Sequence, residues 1–111
     1  MEINVQEFKH CDLLAINGKV DSFTAPDLIK AIEELQNNGK YKIVLNMEHL
    51  EYMSSAGFRA LLIGQRNSKR YNRGELVLAN VPQKIMDALE LTGFTPLFKI
   101  FSDITAAVGN F

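Results

Sequence analysis

Residues 3–8 alternate apolar and polar side chains, with Ile3, Val5 and Phe8 on the apolar side, and predict a short strand. A polar corner at residues 9–12 precedes the run Leu13-Leu14-Ala15-Ile16, which continues toward Val20 as a second strand. Gly18 falls within or just beyond that run, where a bulge is common. The period then lengthens. Leu28, Ile32 and Leu35 recur at helical spacing with Ala31 beside them. A helix therefore starts near Thr24, the expected N-cap, with Pro26 in its first turn. Asn37-Asn38-Gly39 supplies the stop. Residues 41–45, rich in Val and Ile and followed by Asn46, have the length of a buried strand.

A second helix is predicted over residues 55–72, carrying Phe58, Leu61, Leu62 and Ile63 and closed by Gly74. Glu75-Leu76-Val77-Leu78-Ala79 reads as the next strand. Pro82 opens a third helix with Ile85, Met86 and Leu89 on one face, and Thr92-Gly93 ends it. A short strand over residues 97–100 precedes a terminal helix that starts from Ser102, its expected N-cap, and ends near Val108. The opening pair of strands is joined too tightly for a crossover and is expected to be antiparallel. The later strands are separated by helices, which predicts right-handed crossovers and a mostly parallel sheet with helices packed on it, an α/β fold.

Composition works by exclusion. A chain of 111 residues and 12.5 kDa is one domain's worth of polypeptide, read as a single domain over residues 1–111. With 47% of residues hydrophobic, a sizeable core needs no staples. The 12 Lys and Arg against 13 Asp and Glu give a net charge of -1, unlike a chain built to coat nucleic acid. One cysteine excludes an internal disulfide and a Cys-rich zinc site. No apolar run approaches the ~20 residues that cross a bilayer, and the start of the chain lacks the pattern of a secretory signal. A cytoplasmic protein with no membrane attachment is expected.

Catalytic constellations are absent from the sequence pattern. His10 and His49 have no partner at metal-ligand spacing and read as solvated side chains. Cys11 is either a small residue at a strand start or a thiol activated by adjacent His10. Glu48 and Glu51 bracket a turn without the geometry of a paired acid and base. No phosphate-binding loop, dinucleotide fingerprint, zinc-helix motif or nucleophile elbow occurs. The expectation is a protein that is not an enzyme and has no metal or cofactor.

The unusual segment is Tyr52-Met53-Ser54-Ser55-Ala56-Gly57-Phe58-Arg59, where a loop leaving a buried strand meets the second helix. A serine there has two readings. Its oxygen caps free N–H groups of the first turn, or it accepts a phosphate of roughly -1.5 to -2 charges on the positive end of the helix dipole. Gly57 on the first reading only permits close packing. From Ser54 to Gly74 there are five basic residues (Arg59, Arg66, Lys69, Arg70, Arg73) and no acidic one, whereas residues 1–53 hold nine acidic and five basic side chains. That asymmetry either steers a partner or complements the helix dipole. Nucleic-acid binding would need an aromatic platform or groove-reading motif, and none accompanies the stretch.

Several segments together resemble the STAS domain, and within it the small stand-alone anti-sigma factor antagonists of bacteria. Gly18-Lys19-Val20-Asp21 followed by Thr24-Ala25-Pro26-Asp27-Leu28 is similar to the family's G-x-[LIV]-D-x-x-[TS]-[AS]-x-x-[LF] start of the first helix. Ile43-Val44-Leu45-Asn46 with Leu50-Glu51-Tyr52-Met53 resembles its central strand and following loop. Ser54-Ser55-Ala56-Gly57-Phe58-Arg59-Ala60-Leu61 resembles D-S-[SA]-G-[LI]-x-x-L. Leu91-Thr92-Gly93-Phe94, then Leu97-Phe98-Lys99-Ile100-Phe101, resembles the C-terminal turn and last strand. The resemblance implies a mixed sheet with about four helices packed mainly on one face.

It also implies a switch. Such a protein binds an anti-sigma factor that is also a serine kinase, and so frees a sigma factor for transcription. Phosphorylation weakens the binding, and a separate serine phosphatase reverses it. Carried over by position, the acceptor is Ser55, with Ser54 the lesser candidate. Asp21, Ser54, Ser55, Ala56, Gly57, Phe58 and Arg59 form the partner-binding set, in which Gly57 keeps the helix start open to approach. The family's acidic residue before the acceptor is Ser54 here. That departure leaves an alternative, a constitutive interaction module of a lipid-transporter or stressosome-like assembly without a phosphorylation cycle. The oligomeric state has no sequence signal.

Overall fold

In the computed structural model, which describes residues 1–111, β1 (Glu2–Glu7) and β2 (Asp12–Val20) form an antiparallel hairpin. The Phe8 N–H donates to the Cys11 carbonyl at 2.9 Å and closes its turn. Then come α1 (Ala25–Asn37), β3 (Ile43–Asn46), β4 (Leu50–Met53) and α2 (Ser55–Lys69). A 3₁₀ turn at Arg70–Asn72 leads to β5 (Leu76–Ala79) and α3 (Gln83–Thr92). A second 3₁₀ turn, Thr95–Leu97, precedes β6 (Ile100–Phe101) and α4 (Ile104–Gly109). The sheet has six strands in the order β1-β2-β3-β5-β6, with β4 beside β2, and every pairing except β1–β2 is parallel.

Successive strand residues point to opposite faces, and both faces of the centre are covered. One side of the sheet (Leu14, Ile16, Ile43, Leu45, Leu76 and Leu78) packs under Leu28 and Ile32 of α1, Phe58 and Leu61 of α2, and Ile85 and Leu89 of α3. The other side (Leu13, Val44, Val77 and Ala79) packs under Ala107 of α4. The helices thus lie mainly on one face, three against one. Each fully buried Leu or Ile in these layers contributes about 1.5–3 kcal/mol through removal from water. Gln65 ties the layers together: its Nε2 donates to the Leu97 carbonyl at 2.7 Å and its Oε1 accepts from the Leu76 N–H at 2.8 Å.

β2 changes neighbours along its length. Asp12 to Ala15 pair with β3, whereas Gly18 to Val20 pair with β4, with a register shift between Gly18 and Lys19. Gly18 has φ +91°, a left-handed conformation that glycine adopts without strain, and the bulge expected there is present. This switch of partner creates a sixth strand that the sequence pattern does not reveal. In β4 only Leu50 and Met53 are buried while Glu51 and Tyr52 are exposed, so no alternation marks it.

Thr24 holds the N-cap position of α1 as expected, but its side chain bonds to no amide of that helix, and Asp21 organises the turn. Other boundaries differ from expectation. The N-cap of α4 is Asp103, whose Oδ1 accepts from the Ala106 N–H at 2.7 Å, because the carboxylate reaches the first-turn amide one residue later than Ser102. The strand expected over residues 97–100 begins only at Ile100, since Pro96 sits in the first turn of a 3₁₀ segment.

Candidate functional site

β2 and β4 end together. Their register pairs Val20 with Met53, so Asp21 and Ser54, the next residue on each strand, leave the sheet side by side. The Ser54 N–H donates back to the Val20 carbonyl at 2.8 Å, which extends the parallel ladder by one bond and fixes where the chain turns. Ser54 keeps an extended conformation (φ -79°, ψ 173°), and α2 begins at Ser55. The first intrahelical bond runs from the Phe58 N–H to the Ser54 carbonyl at 3.1 Å.

The start of α2 is uncapped. Ser54 holds the N-cap position, yet its hydroxyl makes no bond to the first-turn amides and its oxygen is buried without a partner. The capping role expected of a serine here is therefore not performed, because the hydroxyl is turned into the protein. The free N–H groups of the first turn keep the partial positive charge of the helix end. Ser55, the first helical residue, is exposed.

Gly57 explains why the helix can start so close to the sheet. A Cβ on it would lie 2.5 Å from Met53 Cγ and 3.0 Å from Val20 Cγ1. Gly57 and Phe58 are both buried. In the free chain both pack inward, where they set the approach of α2 to β2 and β4. Asp21, Ser55 and Arg59 are exposed, and Ser54 and Ala56 are half-buried.

Asp21 builds the opposite wall. Its Oδ1 accepts from the Phe23 and Thr24 N–H groups, each at 2.9 Å, while its own N–H donates to Thr24 Oγ1 at 3.0 Å. The Thr24 amide bond, with help from the Thr24 hydroxyl and Phe23 amide, holds the Asp21 carboxyl below the usual carboxylate range. A fixed negative charge thus stands beside an uncapped helix end. The same clasp projects Phe23, which is 88% exposed. On β4, Tyr52 is 45% exposed. Neither aromatic was in the expected site. The only sequence signal for Phe23 is an apolar side chain off the helical period of Leu28, Ile32 and Leu35.

Other chemistry-bearing residues stay apart. Cys11 is buried, and burial first, then the charge of Asp12, pushes its thiol pKa up, so the activated-thiol reading does not hold. His49 lies 3.7 Å from Glu48 at the surface, and no three His, Cys, Asp or Glu side chains converge as metal ligands. No helix is long and apolar enough to cross a membrane. Within the basic stretch, Arg73 is structural: it stacks 3.8 Å from the Tyr41 ring centroid and donates to the Tyr41 hydroxyl at 2.8 Å.

Comparison with known proteins places this geometry in context. The family model described as STAS domain matches residues 2–107. The chain is 26% identical to BtrV of Bordetella bronchiseptica over 111 residues, covering 100% of this chain and 95% of that protein. It is 27% identical over 100 residues to the anti-sigma-B factor antagonist of Listeria monocytogenes, covering 90% of this chain and 86% of the relative. The anti-sigma factor antagonist SpoIIAA in its unphosphorylated form superposes with a TM-score of 0.83 at 15% identity, over 98% of this chain and 95% of that one. The phosphorylated form of Bacillus SpoIIAA superposes with a TM-score of 0.75 at 16% identity, over 98% of each chain.

Proposed function

The chain belongs to the STAS domain family, and from that premise we propose that it is an anti-sigma factor antagonist switched by phosphorylation of Ser55. The observation that carries this reading is an exposed serine at the first residue of a helix whose first-turn amides its N-cap side chain leaves uncapped. Unphosphorylated, the surface around Ser55, Asp21 and Arg59 docks on an anti-sigma factor with serine kinase activity and displaces the sigma factor. The kinase supplies ATP, Mg²⁺ and the positioning groups. The Ser55 oxygen attacks the γ-phosphorus, ADP leaves, and the hydroxyl proton passes to a base of the kinase. The chain itself contributes no base. It is the part acted upon.

The product carries roughly -1.5 to -2 charges at pH 7 on the positive end of α2, an arrangement worth about 0.3–1 kcal/mol in favour of the folded state. The fold therefore tolerates the phosphate, while the docking surface gains a second negative group beside Asp21 and must be desolvated to bind. Binding weakens by repulsion, with α2 still formed. A separate serine phosphatase hydrolyses the ester and resets the surface. Ser55→Asp reports on both halves of this argument. It should lower affinity for the partner at least tenfold and leave Tm unchanged or a few degrees higher. Wild-type affinity in Ser55→Asp rejects the switch.

One observation favours a second reading. Ser54 replaces an acidic residue, and its hydroxyl is inward and unpartnered. If the pair of serines is not a kinase substrate, the same surface serves as a constitutive interaction module of a larger assembly. Co-purification of a transporter ATPase in place of a small kinase selects that reading.

A further inference from the structure

The basic face of α2 is not absorbed by the Ser55 surface. Leu62, Gln65, Arg66 and Lys69 are spaced to lie along one side of the helix, about 10 Å from first to last. Facing them is the chain between α3 and β6, which brings Phe94 and Leu97 against that side. Together these six residues line an open groove of about 530 Å³. Its floor is apolar. Leu97 is 45% exposed.

Two features make this groove more than a gap between elements. It is rigid, because Gln65 is buried and bonded at once to Leu97 of the far wall and Leu76 of β5. Its rim is also cationic without internal compensation. Arg66 and Lys69 are exposed, and neither forms an ion pair within 4.0 Å; the four ion pairs of the protein involve Lys40 (twice), His49 and Lys99. Lys69 does act on Glu75, but that carboxylate is already bonded to Lys99 and Asn110. Complementing the end of the helix dipole accounts for two cations here, not for the exposed Leu97 beside them.

We infer that this groove is a second docking site, separate from Ser55, for an amphipathic helix of another protein with an apolar face and acidic flanks. Two turns of such a helix match the 10 Å length, with leucine-like anchors on Leu62, Phe94 and Leu97 and carboxylates on Arg66 and Lys69. Charge complementarity selects an acidic partner over a basic one. The open shape selects a helix over a single acyl chain, which calls for an enclosed cavity.

The test titrates the isotope-labelled full chain with a synthetic amphipathic helical peptide of about 14 residues, bearing Leu on one face and Glu on its flanks. Controls are the same peptide with Lys for every Glu and vesicles of phosphatidylglycerol. The Glu peptide should shift the amides of Leu62, Gln65, Arg66, Lys69, Phe94 and Leu97. Ser55→Asp should leave that binding unchanged, which separates this proposal from the switch. The double change Arg66→Glu with Lys69→Glu should weaken the Glu peptide at least tenfold and bind the Lys peptide instead. Leu97→Ser should weaken the Glu peptide and reads the groove from its other wall if the charge reversal disturbs α2. No saturable binding of the Glu peptide, equal binding of both peptides by wild type, shifts centred elsewhere, or binding to vesicles alone would each overturn the proposal.

Discussion

Replacing Gly57 with Ala sets two terms of opposite sign against each other. Glycine in a helix costs about 0.8–1 kcal/mol relative to alanine, so at an open position the change would stabilise the protein. Here the new Cβ meets Met53 Cγ at 2.5 Å, Met53 Sδ at 3.2 Å and Val20 Cγ1 at 3.0 Å. Met53 and Val20 are 3% and 0% exposed, so neither can swing into solvent, and the branched Val20 has little rotamer freedom. Overpacking of this kind costs about 1–3 kcal/mol. The packing term wins by about 1 kcal/mol, which for a domain of this size lowers Tm by roughly 4–8 °C. Because the first turn of α2 is displaced, partner affinity should fall as well. Urea unfolding of wild type, Gly57→Ala, Met53→Ala and the double variant measures this. The double variant should be more stable than the sum of the singles implies by about 0.5–1 kcal/mol or more, the signature of a direct contact. A Gly57→Ala protein more stable than wild type would refute the packing argument.

Two further outcomes follow from the same geometry. Phe23→Ala should change stability by less than about 0.5 kcal/mol, since the ring is solvated, yet weaken the kinase partner by at least about 1 kcal/mol, near fivefold; unchanged affinity by calorimetry would remove Phe23 from the docking surface. Asp21 and Glu75 both titrate below their ordinary values, Asp21 through the Thr24 amide, Glu75 because bonds from Asn110 and Lys99 outweigh the upward push of burial. A folded-state pKa lowered in this way gives stability that is present above the unfolded value, roughly 4 for a carboxylate, and lost as pH falls through the folded value. The urea midpoint should therefore drop between about pH 5 and pH 3, and a variant combining Asp21→Asn with Glu75→Gln should drop less; parallel slopes would contradict the assignment.

Much of this arrangement was legible in the residues because it depends on periodicity. The helical spacing of Leu28, Ile32 and Leu35 and the continuous apolar run Leu76-Val77-Leu78-Ala79 reported a helix against one face and a strand covered on both. β4 was not legible, since its two buried residues are separated by two exposed ones and its pairing depends on a bulge in a strand over thirty residues earlier. The serine at the N-cap position was legible in place but not in orientation. Whether Ser54 bonds to its own helix or turns inward depends on the Val20 bond and the close approach at Gly57, which are long-range consequences of strand order. The burial of Gly57 and Phe58 is not legible for the same reason: a motif names residues, while the sheet decides which way they point. The role of Phe23 is not legible in the sequence, because exposure of an aromatic follows from the Asp21 clasp and not from local pattern.

The central claim is that Ser55 is the acceptor of a phosphoryl group placed there by the partner it binds. Mass-spectrometric site mapping of the full chain, after incubation with an anti-sigma factor kinase from the same cell and ATP, tests it most directly. The account predicts one added phosphoryl group, on Ser55, absent in Ser55→Ala and present in Ser54→Ala. Phosphate on Ser54 alone, or none while the kinase is demonstrably active, would contradict it.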